Sequence, residues 1–134
     1  MEILNEDAVS LRKIAQIFDD AYLEVDGSDS ERLLVNLGSC KVLVVFDDEK
    51  KIITFASFWG LKPGTERGLL DLVNQLNKEL ILVRFNVASD FRSMWCDQQF
   101  LVKGGISTKW LIFSLKRFGE VCSGAVKMNT EHFE

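Results

Sequence analysis

Three runs, LLVNL (residues 33–37), KVLVVF (41–46) and IITFASFW (52–59), decide the fold. Each is short and rich in β-branched and aromatic residues. The links between them, Gly38-Ser39 and Asp47-Asp48-Glu49-Lys50, are polar. Such segments suit a pleated, half-buried surface, and short links join antiparallel neighbours. The pattern predicts an antiparallel meander with a solvated acidic hairpin loop between its last two strands.

Outward from the meander, the period changes. Before it, Asp7 to Ala21 carries Leu11, Ile14, Ala15 and Phe18 at helical spacing. A short strand is expected over Tyr22 to Val25, then a turn over Asp26-Gly27-Ser28-Asp29-Ser30. After the meander, Leu61-Lys62-Pro63-Gly64 stops the sheet and Thr65 can cap a helix over Glu66 to Glu79, with Leu69, Leu72, Val73 and Leu76 on one face. Strands are expected over Ile81 to Ala88 and Ser93 to Val102. Lys103-Gly104-Gly105 breaks the second, and Ser107 or Thr108 caps a last helix striped by Leu111, Leu115, Phe118, Cys122 and Ala125. The order α-β-β-β(-β)-α-β-β-α reads as α+β, an antiparallel sheet with helices packed on it. One domain over 1–134 is expected, with its core about 9–126 and a frayed tail over 127–134.

The strands are too apolar for a sheet with one wet face. Val42 to Phe46 are consecutive, as are Phe58 and Trp59, whereas a half-exposed strand alternates. A second buried face therefore implies a homodimer or a partner surface. Phe58, Trp59, Trp95 and Trp110 are the candidate interface residues, since tryptophan is enriched at binding hot spots.

The chain has 134 residues, 47% hydrophobic and 27% charged, with net charge −4. This composition argues against disorder and against a general nucleic-acid footprint. Lys103, Lys109, Lys116 and Arg117 read as a solvated helix face. No apolar run reaches the roughly 20 residues of a membrane span, and no signal peptide is visible. Three widely spaced cysteines, Cys40, Cys96 and Cys122, suit free thiols in a cytoplasm.

Catalytic equipment is sparse. The one histidine, His132, is third from the C-terminus and reads as an exposed tail residue. No zinc spacing, phosphate loop or calcium loop is complete. No catalytic residue, metal or cofactor is expected. A thiol enzyme or redox switch on Cys40 or Cys96 is a minor alternative.

The run Leu69-Leu70-Asp71-Leu72-Val73-Asn74-Gln75-Leu76-Asn77-Lys78-Glu79-Leu80 resembles the "LNxLN" helix of the YbjN-like family of bacterial sensory transduction regulators, with Val73 where that family usually has leucine. Phe100 to Ser107, with its Gly-Gly turn, and Leu111, Leu115, Arg117 and Phe118 resemble the family's closing segment. The likeness covers about Val9 to Val126. It implies a twisted sheet similar to type III secretion chaperones, often dimeric, and a non-enzymatic module acting through protein contacts in signalling or stress regulation. A secretion-type chaperone that binds an unfolded effector segment is the alternative. Asn74, Asn77, Gly104 and Gly105 carry over as motif positions with a structural role. Two asparagines in one helical turn are costly, because their amides compete for backbone bonds. That cost suggests they bond an adjacent loop or strand.

Overall fold

The computed structural model describes residues 2–29 and 31–134. Strand β1 (Ile3–Leu4) is followed by a single 3-10 turn (Glu6–Ala8) and helix α1 (Leu11–Asp20). Then come β2 (Glu24–Ser28), β3 (Leu33–Asn36), β4 (Lys41–Asp47) and β5 (Ile52–Gly60). Helix α2 (Glu66–Glu79), β6 (Arg84–Val87), β7 (Ser93–Leu101), β8 (Ile106–Ser107) and α3 (Thr108–Lys127) complete the order. The six longer strands form one antiparallel sheet ordered β2-β3-β4-β5-β7-β6, and β1 pairs with β8.

Local chemistry sets the helix starts. Ser10 accepts from the Lys13 N–H, Thr65 from the Gly68 N–H and Ser107 from the Trp110 N–H, at 3.1, 3.0 and 3.2 Å. Each satisfies one of the orphan donors of a first turn. Helix α2 occupies the expected residues. Helix α1 is shorter than the expected span of Asp7 to Ala21, because Ser10 takes the cap and the preceding residues form the separate 3-10 turn.

Register places Leu33, Val35, Val42, Val44, Ile53, Phe55, Phe85, Met94 and Cys96 on one sheet face, all buried. Ile14 and Phe18 of α1, Leu69 and Leu76 of α2, and Leu111, Leu115 and Phe118 of α3 join them in one core. Phe55 meets Phe118 at 5.9 Å between ring centres. All three helices thus cover the same face.

Three expectations need correction. The tail does not fray: Phe133 is buried and bridges Leu61, the Lys62 N–H donates to the His132 carbonyl, and the Glu134 N–H donates to Gly60. The aromatic side chain next to the last residue anchors it. His132 is accordingly half-buried rather than exposed. The expected turn from Asp26 is strand as far as Ser28, with a bulge between Val25 and Gly27, and the left-handed Tyr22 (φ 62) delays the strand start. Ser30 of that turn lies outside the described residues. Finally, Ile81 and Leu82 precede β6 instead of belonging to it, and both are exposed.

Candidate functional site: the open face of the sheet

The opposite face carries no helix. Its rows follow from register: Leu34, Leu43, Ala56, Asp97 and Arg84 in one, Phe58, Trp95 and Asn86 in the next. Phe58 and Trp95 stack with ring centres 4.6 Å apart and planes 25° apart. Phe58 remains 59% exposed. Beside the stack lies a groove of about 600 Å³ lined by Leu34, Leu43, Ala56, Phe58 and Trp95. Its bordering charges are paired within the chain. Arg84 makes two bonds to Asp97, at 3.0 and 3.1 Å. Lys41 lies 3.6 Å from Asp26, and Arg32 lies 3.8 Å from Asp29.

The four candidate interface residues do not form one patch. Phe58 and Trp95 share the open face. Trp59 alternates to the other side, opposite Met94, and packs partly buried against the core, with one edge still lining the groove. Trp110 lies on α3, 53% exposed, on the helical side. Leu34, Leu43 and Ala56 were not singled out by the sequence. Their signal was the near-unbroken apolar text of β3, β4 and β5, in which every second residue must face away from the helices.

The motif residues separate similarly. Asn77 bonds the Phe85 backbone through both amide atoms. Asn74 is exposed and makes no side-chain hydrogen bond to any described residue. Gly104 (φ 86) and Gly105 (φ 103) both need positive φ. A Cβ on Gly105 would sit 2.8 Å from the Leu4 carbonyl, whereas one on Gly104 meets open space. Gly119 went unnoticed. It lets Leu37 pack onto α3, where a Cβ would approach Leu37 Cδ1 to 2.5 Å. A glycine inside an apolar helical stripe was its visible signal, since glycine there is costly.

The cysteines are all free and buried. Cys96 donates to the Ser57 carbonyl at 3.7 Å and Cys40 to the Gly119 carbonyl at 3.9 Å. The Cys122 thiol is pushed far up, first by its hydrogen bond with Cys96 and then by burial. Among the described residues, no three His, Cys, Asp or Glu side chains gather as a metal shell. No helix among them is long and apolar enough to cross a membrane.

Fold and site together define a class: a small α+β domain with three helices on one side of a six-stranded antiparallel sheet and apolar side chains uncovered on the other. A crystal structure described as "YbjN, a putative transcription regulator from E. coli" has this fold, with TM-score 0.80 and 14% identity over 98% of each chain. Residues 10–128 match the family model for YbjN, "Putative bacterial sensory transduction regulator", and the chain belongs to that family. No curated protein matches it.

Proposed function

We propose that this chain is a non-enzymatic cytoplasmic regulator that works by binding protein through the open face of its sheet. The family description supports the regulatory half of this reading. The Phe58–Trp95 stack, with Phe58 exposed and Trp95 partly so, carries the other half. Large aromatics left uncovered beside an apolar groove are the usual anchors of a protein interface.

A second copy of this chain is the occupant. The bordering charges are already paired within the chain, so the face asks for an apolar partner and not for an oppositely charged one. An apolar, charge-compensated patch is suited to meet itself across a two-fold axis. The sheet edges give less support to the secretion-chaperone alternative, in which an effector segment adds as a strand. The outer edge of β2 is bulged and bears Glu24 and Asp26, and that of β6 is occupied by Asn77.

Sedimentation equilibrium tests this directly. The wild type is expected to dimerise, and Phe58→Ala to weaken the dimer by about 2 kcal/mol, roughly thirtyfold. Trp59→Ala should instead lower stability first, with a smaller effect on association, since Trp59 packs against the core and only borders the groove. A monomeric wild type whose affinity-purified complexes from its host also do not depend on Phe58 overturns the reading. A fixed-ratio foreign partner lost in Phe58→Ala keeps the surface and replaces the occupant.

A further inference from the structure

We infer that the cleft between α3 and the segment entering β6 docks an acidic amphipathic helix of a partner protein. The cleft lies on the helical side of the sheet, so it is independent of the open face. It measures about 350 Å³ and runs along α3 from Trp110 to Glu120, with Leu82 on the side of β6. That stretch of α3 is about 15 Å long, nearly three helical turns.

The walls are apolar and uncovered. Trp110, Phe113 and Leu82 are each more than half exposed, and so is Ile81, next to Leu82 in sequence. Trp110 and Phe113 stand three residues apart, as neighbours on one helix face. Leu82 also holds φ 70, a left-handed conformation that leucine rarely adopts. Packing within the chain offsets little of that cost, because the side chain lies mostly in solvent. Single exposed apolar residues are ordinary, but several large ones around one hollow mark an interaction site.

Charge decides the occupant. Lys109 lies 5.6 Å from the centre of the Phe113 ring, and Lys116 and Arg117 line the cleft. None of the three forms an ion pair among the described residues. Glu120 is the one carboxylate on the lining. Three cations against one carboxylate leave this region positive on a chain whose total charge is −4. The open sheet face differs, since its bordering charges are paired within the chain. Unpaired cations around an apolar cleft call for carboxylates from outside. A second copy would set these cations against their own kind across a two-fold axis. A flat anionic membrane fits poorly against a concave wall on a chain of net negative charge. A helix with apolar residues at i, i+3 or i+4, and i+7, flanked by Asp or Glu, fills the cleft and pairs Lys109 and Lys116.

The test is selection of phage-displayed random dodecapeptides on the folded protein, with binders to Trp110→Ala removed first. Enriched sequences should carry a surplus of Asp and Glu between apolar residues at helical spacing. The leading peptide, synthesised and labelled, should bind with an affinity that falls as salt rises. Trp110→Ala, and separately Lys109→Glu combined with Lys116→Glu, should each weaken it at least about tenfold. These side chains are exposed, so both variants should keep the wild-type circular dichroism and unfolding midpoint. Phe58→Ala should bind the peptide as tightly as the wild type, which separates this cleft from the open face. The inference is overturned if no sequence is enriched, if the enriched ones are neutral or basic, or if the charge-reversed variant binds unchanged. Trp110-dependent attachment to phosphatidylcholine–phosphatidylglycerol vesicles, with no peptide enriched, overturns it in favour of a membrane surface.

Discussion

Asn77, in the last turn of α2, and Phe85, in the edge strand β6, are joined through a single side-chain amide. Nδ2 donates to the Phe85 carbonyl at 2.8 Å, and Oδ1 accepts from the Phe85 N–H at 2.7 Å. Phe85 lies opposite Cys96 in the ladder with β7, and both its backbone groups point outward. The asparagine therefore stands where a further strand would pair. An open edge is a template for aggregation, and here a helix closes it.

Asn77→Ala should leave the Phe85 N–H and carbonyl unpaired. Chemical unfolding should show a loss of about 1–3 kcal/mol. Light scattering at high concentration should show association that the wild type lacks. Asn74→Ala, at an exposed position in the same motif, should stay within about 0.5 kcal/mol. Equal changes for both would show that the Asn77 bonds to Phe85 contribute nothing beyond helix propensity.

The Gly-Gly turn should divide unevenly. Gly104→Ala meets open space and faces only its positive φ, at a cost of about 1–2 kcal/mol. Gly105→Ala also drives a methyl group to 2.8 Å from the Leu4 carbonyl. It should cost distinctly more and expose the Leu4 and Ile106 amides, which pair β1 with β8, to hydrogen exchange.

Gly119→Ala should destabilise despite alanine's higher helix propensity. The added methyl group would lie 2.5 Å from Leu37 Cδ1, and overpacking of this kind costs about 1–3 kcal/mol. Leu37→Ala in the same chain should recover part of the loss, a coupling that a double-mutant cycle measures.

Much of this fold is legible in the text. The meander, α2 with its Thr65 cap, and the α3 stripe follow from period and capping, because neighbouring residues alone decide them. The uncovered face was legible as a surplus of apolar residues in β4, but not its membership. Register assigns Trp59 to the helical face and Trp95 to the open one, and register depends on pairings between strands far apart in sequence. The docking of Phe133 on Leu61, the pairing of Leu4 with Ile106, and the contact of Leu37 with Gly119 are tertiary choices with no local signature. A pocket beside Trp110, where Gln98 of β7 meets Ser114 and Arg117 of α3, was hidden for the same reason, and the basic residues there read as an ordinary solvated helix face.

The Cys122 thiol should set an alkaline limit on stability. Its pKa is raised in the folded state, by the Cys96 bond first and burial second. Below the ordinary thiol value of 9.0 both folded and unfolded chains hold the proton, and the stabilisation is intact. Above it the unfolded chain releases the proton while the folded one keeps it, so stability falls as pH rises, by up to about 1.4 kcal/mol per pH unit. Unfolding midpoints between neutral and alkaline pH should trace this fall, and Cys122→Ala should flatten it. Native-state alkylation at neutral pH should proceed only as fast as the protein opens.

The position of α3 at the end of the element order has a consequence for synthesis. The six-stranded sheet is complete in sequence at Leu101, but the helix that covers its centre runs from Thr108 to Lys127, and Phe133 follows. At a translation rate of about 5–20 residues per second, the sheet waits roughly one to several seconds for its cover. Until α3 docks, α1 and α2 cover only part of the helical face, and the opposite face carries no helix. A nascent chain of this kind is a natural client for a holding chaperone, and its yield should be sensitive to anything that slows the codons of α3.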